Sequence, residues 1–134
     1  MKYESVVDWG VKTDYLRCNP DFNKRPRYDF VIVNSRDNPV FARLVFVFVC
    51  RVNKHDYHLA LIQPLEKQTR QSTRSVDKYL SIYRWHIRAR SRCEVIPLER
   101  IVRGAVLVPD VKHKGDHLVI DTLDADMFMR VKEM

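Results

Sequence analysis

The clearest pattern along this chain lies over residues 40–52, a long and almost wholly apolar segment with Arg43 and Arg51 near its ends. Successive side chains of an extended strand point to opposite faces, so Ala42, Leu44, Phe46, Phe48, Cys50 and Val52 share one side. The other side carries Phe41, Arg43, Val45, Val47, Val49 and Arg51, apolar in its middle and charged near its ends. This pattern predicts a long strand, central to a sheet or bent around a barrel. Asn53-Lys-His-Asp supplies a hairpin turn. Residues 57–63 then predict the return strand, stopped at Pro64 because proline cannot donate to a ladder.

Residues 79–90 alternate strictly. Tyr79, Ser81, Tyr83, Trp85, Ile87 and Ala89 form the face expected inside, while Leu80, Ile82, Arg84, His86, Arg88 and Arg90 form an outward, basic one. Residues 28–33 predict a strand ended by the turn cluster Ser35-Arg-Asp-Asn-Pro, and residues 93–96, 104–108, 117–120 and 127–131 predict four more. Pro97 ends one of these, Leu98-Glu-Arg-Ile makes a turn or one helical turn, and Gly104 admits the backbone geometry where the next strand starts. Residues 66–77 are polar and predict an exposed loop. Residues 1–27 contain Pro20 and Pro26 and predict an irregular arm that packs Trp9, Tyr15 and Phe22 on the body. With seven or eight short strands and scarcely any helical period, the expectation is an all-β single domain over residues 1–134, an antiparallel barrel or sandwich.

Charge sharpens the picture. Lys and Arg number 24 against 17 Asp and Glu, giving +7, a balance that suits an acidic partner. An apolar share of 46% excludes a disordered chain. Cys18, Cys50 and Cys93 are odd in number, widely spaced and without a CxxC pair, which predicts a reducing, intracellular setting. The opening MKYESVVDWG lacks the apolar stretch of a secretory signal. The longest apolar run, residues 44–50, falls well short of the roughly 20 residues of a membrane helix, so neither secretion nor a membrane partner is expected.

Candidate chemistry is sparse. His55 with His58, and His113 with His117, have tempting metal-ligand spacing but no cysteine pair beside them, and read as surface histidines. Asp121, Asp124 and Asp126 lack the regular spacing of a hard-cation loop and read as a hairpin turn with capped ends. There is no GxSxG elbow, and Gly10, Gly104 and Gly115 stand too far apart for a phosphate loop. No enzyme, metal or cofactor is expected. What remains is a basic stretch, Arg70, Arg74, Lys78, Arg84, Arg88, Arg90 and Arg92 against Asp77 alone, with Tyr83 and Trp85 interleaved. It suits a nucleic-acid backbone or an acidic protein, and it also suits a charged strand edge that resists edge-to-edge association.

The order of segments carries a resemblance. "ARLVFVFVC", "CEVIPLERIVRGAVLV" and "DMFMRV" resemble, in sequence order, the strands of the bromo-adjacent homology family. "RPRYDFVIVN", "FARLVFVF", "LALIQPLE", "IPLERIVRGAVLVPD" and "DADMFMRV" look most like the C-terminal accessory region of fungal transposases of the Plavaka type. The resemblance covers residues 26–131. It implies a distorted β-barrel without catalysis, a nuclear location, and binding to a nuclear protein or to chromatin. Direct contact with DNA or RNA through residues 70–92 is the alternative. The family's methyl-lysine cage is not implied, because "YHLALIQPL" offers Ala60 and Leu61 where readers of methylated lysine carry an aromatic pair.

Overall fold

A computed structural model describes residues 2–7, 10–68, 83–122 and 124–134, with side chains from Tyr15 onward. Two hairpins open the chain: β1 (Lys2–Val7) with β2 (Gly10–Tyr15), and β3 (Cys18–Phe22) with β4 (Arg25–Tyr28). The irregular arm expected over residues 1–27 is therefore corrected to four strands. The second hairpin turns through Asn23 and Lys24, both at positive φ, as a two-residue type I′ turn requires. Tyr15 is exposed, Phe22 is half-buried beneath the Arg27 guanidinium, and Trp9 lies outside the described residues.

The main sheet is antiparallel, in the order β10 (Ile101–Ala105), β5 (Phe30–Val33), β6 (Val40–Val52), β7 (His55–Lys67), β8 (Arg84–Ile87), β12 (Asp116–Val119) and β11 (Leu107–Pro109). A further strand, β9 (Glu94–Pro97), also pairs with β7. β6 runs over the residues its pattern predicts, and Asn53 and Lys54 turn it into β7 in the same positive-φ geometry as Asn23 and Lys24. β10 and β11 stand at opposite ends of the order yet are separated only by Val106, so the sheet curls until its ends lie one residue apart. The Val106 carbonyl accepts from Ile120 N at 3.0 Å, and no ladder pairs β10 with β11.

Several expectations give way for identifiable reasons. Val45 stands unpaired between Leu44↔Ile62 and Phe46↔Leu61, and this extra residue reverses the alternation of β6. Ala42 and Leu44 are fully buried, whereas Phe46, expected beside them, is 56% exposed. Pro64 does not stop β7. Its carbonyl points away from β6 and accepts from Arg88 N at 3.0 Å, on the edge where the neighbour changes from β9 to β8. Its missing N–H faces that changeover and costs the ladder nothing. Among the described residues of the strand expected over 79–90, Arg84–Ile87 is a strand and residues 88–90 are not; residues 69–82, with most of the expected loop, lie outside the described residues. Gly104 sits inside β10, opposite Val31, rather than at a strand start.

The last correction is the largest. Residues 127–131 are not a strand but the middle of a helix, α1 (Ala125–Glu133). Asp124 caps it, accepting from Met127 N at 2.8 Å. Met127 and Val131, four positions apart, go into the core, while Asp126 and Arg130 pair along the polar side.

β5 and β6 are buried on both faces. One face carries Val31, Val33, Ala42 and Leu44 into a cluster with Ala60, Ile62, Ile96, Ile101 and Leu16. The other carries Ile32 and Phe41 into the interior of the curl, against Leu65, Trp85, Leu107, Val119 and the helix residues Met127 and Val131. Trp85 meets Phe41 edge-on, ring centres 5.0 Å apart. As expected, Trp85 points inward.

Candidate anion-binding site

The basic stripe expected on one strand face is not formed as a unit. Arg70, Arg74 and Lys78 lie outside the described residues. Arg84 is on β8, but its side chain is only 8% exposed. It is ion-paired to Asp110, with Asp116 at 3.9 Å. That corrects its place on an outward stripe: two carboxylates fold over it and consume its charge. Asp110 also accepts from the His113 ring at 2.7 Å and Lys112 N at 2.9 Å, and these bonds with Arg84 hold its carboxyl well below the usual range. Asp116 in turn meets His86 Nδ1 at 2.8 Å.

Arg88 follows β8, is half-exposed and lies 3.5 Å from Glu66. Arg90 and Arg92 begin and end an exposed 3-10 turn in which no side chain is buried. No carboxylate lies within ion-pairing distance of either among the described residues. Gln63, on β7 and nearly buried, anchors this turn by donating from Nε2 to the Arg88 carbonyl at 2.7 Å.

Arg43 is the cation that sequence reasoning passed over as a charged end of a strand face. Its register partners are Phe30 on β5 and Gln63 on β7, and it shares the inward face with Phe41. The guanidinium carbon stands 5.4 Å from the centre of the Phe30 ring. His117, 5% exposed and opposite the inward Trp85, packs the same ring at 5.1 Å. That overturns the reading of His117 as a surface histidine. Among the described residues no carboxylate meets Arg43. Burial and the nearby Arg90 charge both push its pKa below the ordinary arginine value, against a smaller opposing effect of Tyr28.

His117 Nδ1 lies 3.1 Å from the Gly115 carbonyl and donates to it, so a neutral ring presents Nε2 as an acceptor and a protonated ring presents it as a donor. Burial pushes its pKa down, with Arg43 and His86 adding to the effect. The signal for this site was in the sequence: Arg43 interrupts an apolar strand, opposite Gln63 in a strand that is otherwise apolar from Leu59 to Leu65. What one chain does not reveal is that β12 brings His117 to the same Phe30 ring and that the backbone before the turn of Arg90 docks on Gln63.

The other polar clusters are internally satisfied. Arg103, 7% exposed, donates to Asp124 at 2.9 and 3.0 Å and to Asp126 at 2.6 Å. Burial opposes its charge, yet the two carboxylates outweigh that and raise its pKa. Asp124 and Asp126 thus hold an arginine, where a hairpin turn was expected. His55 and His58 are exposed, and no group of three or more metal-ligating side chains converges among the described residues. No family model, curated protein or solved structure matches the chain.

Proposed function

We propose that this chain is a non-enzymatic interaction module, its curled sheet a distorted β-barrel of the bromo-adjacent homology kind, derived from a Plavaka-type transposase and working in the nucleus on a nucleoprotein. The partner is anionic, and the module meets its nucleic-acid component through Arg88, Arg90 and Arg92. The observation that carries this reading is the contrast in charge pairing: Arg84 and Arg103 are taken up by carboxylates, while Arg43 and the nearby Arg90 meet none among the described residues, and neither does Arg92 in the same exposed turn. Cations left unpaired near one another repel, and an anionic partner relieves that repulsion.

Fluorescence anisotropy of a labelled duplex at two salt concentrations tests it. Binding is expected to weaken with salt, with a slope near 0.9 per phosphate neutralised on duplex DNA. Replacing Arg88, Arg90 and Arg92 by Gln is expected to flatten that slope. No binding of duplex or single strand at low salt overturns the nucleic-acid contact.

One observation favours a protein partner on a different surface. Beyond the Val45 bulge the β6–β7 ribbon leaves Phe46, Val49, Val52 and Tyr57 each about half exposed or more. Affinity capture from nuclear extract, with and without nuclease, separates the two: a partner kept after nuclease and lost on Phe46→Ser and Val49→Ser belongs to the ribbon.

A further inference from the structure

We infer that Arg43, Arg90 and His117 form a site for a single phosphate group, and that this group is the terminal phosphate of a nucleic-acid strand. The assignment rests on the nucleic-acid reading above and gives it a second, inward contact. Three features of the geometry support it. The cationic and imidazole groups arrive from three separate elements, β6, the 3-10 turn and β12, and two of them are fixed against one aromatic ring at 5.4 and 5.1 Å. Gln63, the register partner of Arg43, donates to the Arg88 carbonyl at 2.7 Å and so fixes the backbone that leads into the turn of Arg90 next to β7. The site also lacks a resident anion among the described residues, unlike the Arg84 and Arg103 clusters.

The ligand class follows from the donors. One guanidinium fully matches a carboxylate through two parallel bonds. Two guanidiniums on different elements, beside an imidazole whose Nε2 becomes a donor on taking up a proton, exceed that need and suit a tetrahedral group with three free oxygens and two charges. A phosphate inside a strand has ester links on both sides, so its flanking sugars hinder entry to an inward-facing site. An end phosphate has one. Arg88 and Arg92, exposed and two residues to either side of Arg90 in sequence, are at hand for the phosphates that follow.

The test uses the full chain. Inorganic phosphate in chloride buffer, followed by amide and imidazole NMR shifts, is expected to give saturable changes at His117, Gln63 and residues 90–92. Arg43→Gln is expected to weaken phosphate at least tenfold while Arg51→Gln, on an exposed pair with Asp56 far along the ribbon, leaves it unchanged. Should Arg43→Gln fail to fold, Arg90→Gln in the exposed turn gives the same readout. A 5′-phosphorylated oligonucleotide is expected to bind more tightly than its unphosphorylated twin and than a phosphoserine peptide.

Unsaturable shifts spread over all basic residues, or an Arg43→Gln protein that binds phosphate like the parent, overturn the site. Stronger binding of the phosphoserine peptide overturns the nucleic-acid assignment. Failure of the site is distinguishable from failure of the proposed function, because duplex binding through Arg88 and Arg92 persists in the first case and is absent in the second.

Discussion

Arg43 and Arg103 both project into the interior of the curl, one opposite Phe30 and the other opposite Ile32, yet only Arg103 meets carboxylates. Arg103 has a structural task. Asp124 bonds its guanidinium and caps α1 with the same carboxylate, so one residue ties the helix to β10.

Asp124→Ala is therefore expected to cost about 2–4 kcal/mol, since it removes the helix cap and leaves a nearly buried guanidinium with Asp126 as its one carboxylate among the described residues. Asp124→Asn keeps a good cap and is expected to be milder by about 1 kcal/mol. Urea unfolding monitored by circular dichroism measures both. The hydrogen bonds from Arg103 keep the Asp124 carboxyl below its ordinary range despite burial. Its contribution is accordingly present above the unfolded carboxylate value near 3.9 and is lost as pH falls through the folded one. Equal losses in the two variants would remove the cap from this account.

His117 sets a second pH dependence with the opposite chemistry. Its folded pKa lies below the ordinary 6.5, so the unfolded chain binds the proton more readily. Stability is then full above about 6.5 and declines as pH falls below it, until the folded form also protonates. Burial is the largest cause, opposed by the hydrogen bond to the Gly115 carbonyl; of the groups facing the ring, Arg43 from β6 and His86 from β8 lower the pKa and the neighbouring Asp116 raises it. His117→Asn, which retains a donor for the Gly115 carbonyl, is expected to flatten the decline. Sulfate, a dianion across this range, is expected to flatten it in the parent. An unchanged profile in the variant assigns the decline to other groups.

Gly115 is predicted to tolerate no side chain. Its φ is +92°, and an added Cβ would stand 2.7 Å from His86 Cε1. Its carbonyl receives Ile87 N at 2.8 Å as well as the His117 ring. Gly115→Ala is expected to cost at least about 1–2 kcal/mol for the backbone alone. Thermal melting checks this, and a melting temperature equal to the parent's would mean that the turn relaxes freely.

Lys54 offers the reverse case. It occupies the second central position of a type I′ turn at φ 64°, following Asn53 at 49°. Lys54→Gly creates the Asn-Gly pair that such turns prefer and is expected to stabilise by roughly 0.5–1 kcal/mol. Lys24→Gly, in the twin turn, is expected to act alike. A loss of stability in both would show that the larger freedom of glycine in the unfolded chain outweighs the relieved strain.

The strands that a two-residue period reports on were legible wherever burial is one-sided or continuous: β6 over its full length, the body of β7, and the inward side of Trp85. What misled the period were local events it does not encode. The Val45 bulge turned Phe46 outward, and the ladder changeover let Pro64 stay in a strand. At α1 the sequence did carry the signal, a capping Asp124 with Met127 and Val131 at helical spacing, but the β-rich context hid it. The candidate site was legible only in part. Arg88, Arg90 and Arg92 are exposed as expected, whereas the removal of Arg84 and the arrival of Arg43 and His117 depend on carboxylates and strands distant in sequence.

The junction at Val106 also has a meaning in time. Strand β5 is made early, but the partner for its outer edge, β10, follows long after β6, β7 and β8 have been synthesised. Until Ile101–Ala105 leaves the ribosome, the apolar edge of Phe30–Val33 is an open template for any other extended chain. A single residue later the chain turns into β11, and the helix follows β12, bringing Asp124 to an Arg103 already made. The vulnerable species is thus one stalled just short of residue 101, with its first five sheet strands made and its seam unmade.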